Sequence, residues 1–130
     1  MFADNQKRLN KIQNLENLSN AAIKILSNPV RVQEKELHTS QGSYSAWRVV
    51  FNNAVGPGKG GIRFHPDSSR EEVESLSCWM SLKNSLAGLP YGGGKGGVKV
   101  DTKNIEVQEK EEISREYVKN FGESLGQNKD

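Results

Sequence analysis

The chain has 130 residues, enough for one domain with a moderate core and too few for a second domain of ordinary size. Leu, Ile, Val and Phe make up 23% of it beside 26% charged residues, a composition that folds, and the formal net charge of +2 is too small to make nucleic acid a default partner. No apolar run exceeds three residues, as in Val49-Val50-Phe51, whereas a membrane span needs about 20, and the first ten residues hold no apolar signal core; a soluble, cytoplasmic chain with no membrane partner is expected.

Ile12, Leu15, Leu18, Ala22 and Leu26 recur every three or four residues and predict one amphipathic helix from about Asp4 to Leu26, stopped by Asn28-Pro29. Two strands, Val30 to Leu37 and Tyr44 to Ala54, follow as a hairpin turning at Gly42-Ser43, and Ile62 to Phe64 reads as a third short strand. Ser68 and Ser69, with Glu71 and Glu72 three residues on, are overlapping capping-box patterns that start a helix near Arg70 and carry it to about Leu86. Val98-Lys99-Val100 alternates like the end of a strand. A last helix is marked by Ile113, Tyr117, Phe121 and Leu125, with five glutamates between Glu106 and Glu116 forming a solvated face that suits its N-terminal dipole. The single cysteine, Cys78, excludes an internal disulfide and a multi-Cys zinc site and reads as a buried thiol; no metal site is expected. These elements predict one mixed αβ domain.

Charge and glycine are unevenly placed. From Leu37 to Val100 seven Lys or Arg face four acids, and nine of the 13 glycines fall in Gly56 to Gly61 and Gly92 to Gly97, each surrounding a lysine, Lys59 or Lys95. Glycine at that density costs backbone entropy and is kept where a chain turns with positive φ or approaches a ligand closely, so the two segments read as loops suited to an anion. Both match Gly-x-Gly-x-x-Gly, yet each runs into a strand and not a helix, so the dinucleotide fingerprint fails on context. A P-loop fails too, because Asn53, Leu89, Gly60 and Gly96 stand where it needs glycine or a hydroxyl. On the second helix Val73, Leu76, Met80, Lys83 and Ala87 share one face. Lys83 on that face either meets an anion or has its pKa lowered, or else lies at the edge with its head group in water; spacing leaves these open. Three lysines converging with glycine amides would suit a small substrate with two carboxylates, the third lysine serving in proton transfer.

Three ordered blocks carry a resemblance: Asn53 to Pro66 around Gly58-Lys59-Gly60-Gly61-Ile62-Arg63, Met80-Ser81-Leu82-Lys83-Asn84, and Leu89 to Gly97 around Gly94-Lys95-Gly96-Gly97. The stretch from Phe51 to Asp101 resembles the N-terminal substrate-binding domain of the glutamate dehydrogenase family, which also includes leucine, phenylalanine and valine dehydrogenases. The resemblance implies an α/β fold, a single three-layer αβα domain with a mixed sheet flanked by helices, without the family's Rossmann-type cofactor domain. It implies that Lys95 is the catalytic lysine assisting attack of water on the iminium intermediate. Lys83 is implied to pair with the substrate α-carboxylate, with Met80 at the pocket wall, and Lys59 with the γ-carboxylate beside Gly60 and Gly61. A lysine at position 59 favours glutamate and 2-oxoglutarate over apolar amino acids. The family uses NAD or NADP and forms homo-oligomers, commonly hexamers, through this domain.

The family's catalytic aspartate and cofactor domain follow a point corresponding to Asp130, and neither Asp101 nor Asp130 stands in the motif for that aspartate. Residues 1–130 are therefore expected to be the substrate-binding and oligomerisation domain, truncated at its C-terminal end, binding no cofactor and transferring no hydride alone. The other reading is a non-catalytic module that binds a dicarboxylate or co-assembles with a full-length relative. A nucleic-acid domain clamping phosphate with Gly58-Lys59-Gly60-Gly61 is disfavoured by near-neutral charge and nine aromatics.

Overall fold

Asn17, in the left-handed region at φ 51°, divides the N-terminal helical stretch in two. The structure, a computed structural model, describes residues 2–130; the side chains of residues 2, 3, 6, 15 and 16 fall outside the description, and with them the contribution of Leu15 to the N-terminal stripe. Helix α1 spans Phe2–Glu16 and α2 spans Asn20–Ser27, with Ser19 capping α2 by accepting from the Ala22 amide at 3.1 Å. The single helix expected from Asp4 to Leu26 is thus corrected to a helix pair. The apolar spacing continues across the break, which masks it, while Asn17 tolerates the turn and Ser19 restarts the ladder.

The hairpin forms as expected: β1 (Arg31–His38) pairs antiparallel with β2 (Ser43–Asn52), in register from Arg31–Val50 to His38–Ser43. Two short strands, β3 (Gly58–Lys59) and β4 (Ile62–His65), precede α3 (Arg70–Leu86), β5 (Gly92–Lys99) and α4 (Val107–Phe121). The sheet runs β1-β2-β5-β3, and β4 shares with β3 the same side of β5. β5 is antiparallel to β2 and parallel to β3 and β4, so the sheet is mixed. α3 covers one face and α4 the other, giving the three-layer αβα arrangement. Ser69 caps α3, its hydroxyl accepting from the Glu72 amide at 3.2 Å, as the capping pattern implies.

Apolar residues on alternate positions of the strands make two cores. Toward α4, Leu37, Ala46, Val98 and Val100 bury against Ile113, Tyr117 and Phe121. Toward α3, Trp47 and Val49 pack on Val73. Cys78 is buried and its thiol is pushed up by desolvation, as a core cysteine should be. Among the described residues no helix is long and apolar enough to cross a membrane.

The second glycine segment, Gly92 to Gly97, is strand throughout, which corrects the reading of it as a loop, whereas in Gly56 to Gly61 only Gly58 and Lys59 are strand. β5 is the central strand, and its glycines admit neighbours that a side chain would exclude. A Cβ on Gly93 would overlap Ser81 Oγ and the backbone of α3 at Ser77 and Ser81, one on Gly97 would overlap Val73, and one on Gly96 would overlap the Tyr117 hydroxyl. The opposing α3 residues are small, so helix and strand backbones approach closely. Gly93→Ala should therefore destabilise the domain by about 2 kcal/mol, a fall in Tm of roughly 8 °C; thermal unfolding followed by circular dichroism measures it, and an unchanged Tm would mean that α3 moves aside without cost.

Candidate functional site

Pleating assigns the cations to faces. The Gly93 and Gly97 positions face α3, so Lys95 between them faces α3 as well. Lys59 is in register with Gly93 and Arg63 with Gly97, which puts Lys59, Arg63 and Lys95 on that same face, from three adjacent strands. Lys83 reaches the cluster from α3. Its positive charge, after those of burial and Arg63, is among the causes that lower the pKa of Lys95; Arg48 adds to them, and Glu72 opposes them.

The backbone around Lys95 is open where it must be. Its Nζ lies 4.0 Å from where a Cβ on Gly61 would stand, and Met80 Cγ lies 3.4 Å from the corresponding point on Gly60. Asn84, buried on α3, donates to the Gly92 carbonyl at 2.6 Å and to the Lys59 carbonyl at 3.4 Å, and so ties α3 to the starts of β5 and β3. The structure thus brings Lys83, Lys95, Gly60, Gly61 and Met80 together. Lys59 shares their face with an exposed side chain.

The structure decides between the placements that spacing left open for Lys83. The residues of α3 that bury are Val73, Glu74, Ser75, Ser77, Cys78 and Asn84, whereas Leu76 and Met80 are half-buried and Lys83 and Ala87 are exposed. The face read as a core stripe is its margin, because the glycine strand selects small and polar residues for the contact. Lys83 accordingly sits at the edge with its ammonium in water, the second of the two placements that spacing left open.

Arg63 was legible only as a strand residue. It ion-pairs with Glu72 of α3 at 3.3 Å and, after burial itself, does most to lower the Lys95 pKa. The position opposite Gly97 is what brings it in, and no linear motif displays that pairing. Asp130 lies on the reverse face, where its fully buried carboxylate receives Arg48 Nη2 at 2.6 Å and Nε at 2.9 Å, and Arg31 Nη2 at 2.5 Å. A carboxylate on that side of the sheet cannot touch a molecule held beside Lys95.

An apolar cavity lies elsewhere. It encloses about 620 Å³ between α1, α2, the end of β2 and α3, and its walls, including Ile25, Leu26, Phe51 and Leu82, contain none of the three lysines. Size alone would nominate it as a binding site, but it lacks convergent polar groups. Among the described residues no set of three or more His, Cys, Asp or Glu is placed to hold a metal ion. The first Gly-x-Gly-x-x-Gly stretch leads into β4 and the second lies within β5, so neither opens a helix whose N-terminus could face a pyrophosphate.

Comparison with known proteins supplies the family. The family described as Glu/Leu/Phe/Val dehydrogenase, dimerisation domain, matches residues 15–130. An NAD-specific glutamate dehydrogenase of Staphylococcus aureus is 46% identical over 102 residues, 78% of this chain and 24% of the relative. An NADP-specific glutamate dehydrogenase of Saccharolobus shibatae is 40% identical over 100% of the chain and 32% of the relative. The crystal structure of glutamate dehydrogenase from Peptoniphilus asaccharolyticus superposes with a TM-score of 0.93 at 36% identity, over 99% of this chain and 34% of that one. The hetero-hexameric glutamate dehydrogenase from Thermus thermophilus, in its Leu-bound form, gives a TM-score of 0.84 at 28% identity, again over 99% of this chain and 32% of that one.

The chain belongs to the Glu/Leu/Phe/Val dehydrogenase family. Within it, the chain is an N-terminal domain of the glutamate dehydrogenase type, and it spans about a quarter to a third of the length of the relatives it matches.

Lys95 has a consequence for stability. Desolvation and neighbouring cations hold its folded pKa below the ordinary lysine value, so the folded state binds its proton less readily than the unfolded state does. That penalty is present in full below the folded pKa and vanishes as pH rises past the unfolded value. Lys95→Met should therefore raise Tm at neutral pH by roughly 2 °C, with the gain shrinking in alkaline buffer; melting curves across pH test this, and a gain that grows with pH would reverse the assignment.

Proposed function

We propose that this domain is the substrate-binding and assembly portion of a glutamate dehydrogenase, acting on L-glutamate and 2-oxoglutarate. The reading is carried by one observation: Lys95 stands on the central glycine strand beside Gly61, crowded by Arg63 and Lys83, in a chain of this family. Lys83 at the mouth pairs with the substrate α-carboxylate, with Met80 and Gly60 forming the adjacent wall. Lys59, exposed on the same face, takes the γ-carboxylate, a group that apolar amino acids lack.

Burial and like charges give Lys95 a larger neutral fraction than a solvated lysine has, so its Nζ can accept a proton from the water that attacks the substrate iminium carbon and return it in the reverse direction. NAD or NADP supplies hydride acceptance when bound, and the relatives are named as specific for one or the other. The glycines of β5 are engaged in packing against α3, Asp130 and Tyr117. In our reading cofactor binding belongs to the part of the relatives that this chain does not match, and residues 1–130 alone do not transfer hydride. One structural neighbour is named hetero-hexameric, which supports assembly into oligomers through this domain.

The division of labour is testable with the chain itself. Titrated with 2-oxoglutarate and with 2-oxobutyrate, which lacks the distal carboxylate, Lys59→Ala should lose about tenfold in affinity for the first and little for the second. NMR chemical-shift titration reads both. Equal weakening toward the two ligands, or no binding by the unsubstituted chain at any accessible concentration, would remove the γ-carboxylate role from Lys59.

A further inference from the structure

We propose that Asp130 is a positioning residue for the candidate site: from the reverse face of the sheet its carboxylate fixes the two strands that present Lys59 and Lys95 and neutralises the guanidinium that lies behind Lys95. This deepens the reading of Lys95 as the proton-transferring lysine and rests on it.

The geometry is specific. Asp130 Oδ1 lies 2.9 Å from where a Cβ on Gly58 would be and 2.5 Å from the same point on Gly94. Those two glycines immediately precede Lys59 and Lys95, so the carboxylate is seated against the backbones of both lysine-bearing strands at once. Any side chain at either position would displace it.

The carboxylate is also bound to β2. Arg48 makes a two-point contact with it, and Arg31 of β1 a third bond, so one buried group joins β1, β2, β3 and β5. The Asp130 side chain is 0% exposed and that of Arg48 is 4%. A guanidinium so deeply placed is charged at all accessible pH, and without a partner its field would act on the groups around it through little solvent.

Lys95 stands within that field, as does the Tyr117 hydroxyl on the reverse face. The charges facing it are Lys83 and Glu72 from α3, Arg63 from β4 and Lys59 from β3 on its own face, and Arg48 of β2 from behind. Glu72 acts on Lys95 from the near side and is shared with Arg63. Asp130 is therefore the counter-charge that decides how much of Arg48 is felt at Lys95, although it touches neither substrate nor lysine.

The test uses the 130-residue chain and needs no ligand. Competitive acetylation with acetic anhydride over the neutral to alkaline range, read by peptide mass spectrometry, yields a titration midpoint for each lysine, with exposed Lys103 as reference. In Asp130→Asn the unopposed guanidinium should lower the Lys95 midpoint by about half a pH unit or more, leaving Lys103 unmoved. Asp130→Glu keeps the charge and should restore the midpoint.

Arg48→Gln removes the guanidinium while Arg31 still holds Asp130, and should raise it. This variant decides the matter if Asp130→Asn does not fold. A Lys95 midpoint equal to that of the unsubstituted chain in a folded Asp130→Asn, or unmoved or lowered in Arg48→Gln, would overturn the proposal. Because acetylation does not depend on dicarboxylate binding, such a result would leave the assignment of substrate to Lys59 untouched, and loss of that assignment would leave this one standing.

Discussion

The architecture depends on the near-absence of side chains along β5. A central strand ordinarily holds its sheet to the flanking layers by projecting apolar groups into both. Here Gly93 and Gly97 let the backbone and small side chains of α3 settle directly on the strand, while Gly94 and Gly96 receive Asp130 and the Tyr117 hydroxyl on the other side. The stabilising area is supplied by the neighbours instead. Val49, Trp47 and Val73 pack above the sheet, and Leu37, Ala46, Val98 and Tyr117 below it. Lys95 is the one long side chain that the first six residues of the strand project, and it emerges where the surrounding backbone leaves room.

This explains both what could be read from the linear chain and what could not. The hairpin was legible because Gly42-Ser43 separates two β-rich runs, and α3 because the Ser69 hydroxyl satisfies the free Glu72 amide locally. Both are short-range effects, and they survive in any tertiary setting. The break at Asn17 was not legible, since helices α1 and α2 keep the same apolar spacing across it. The strand character of Gly92 to Lys99 was hidden for a different reason. Glycine is depleted in strands on average, and it is favoured here only because Ser77, Ser81 and Tyr117, distant in sequence, press against it.

The site shows the same split. Lys59, Gly60, Gly61, Met80, Lys83 and Lys95 stand out because lysine set in glycine, or on a helix margin, is unusual, and family resemblance assigns roles to them. Arg63 and Arg48 have no such mark. They join the electrostatic environment of Lys95 through strand register and through the opposite side of the sheet, which a one-dimensional pattern does not encode. Tyr117 illustrates the point: burial pushes its hydroxyl up to about 12, against the opposing pull of Arg48, and it donates to the Trp47 carbonyl at 3.0 Å, a purely architectural use of a titratable group.

The glycine strand also bears on how the molecule assembles in time. A segment with five glycines in eight residues forfeits more chain entropy on ordering than any other in the protein, and it offers almost no apolar surface in return. Its partners lie far away in the chain, with Trp47 opposite Gly97 and Lys59 beside Gly93. Such a strand has no means of nucleating. It can condense only onto a hairpin and a helix that already exist, so the lysine that defines the site is brought into place among the last events of folding, by a surface prepared to receive it.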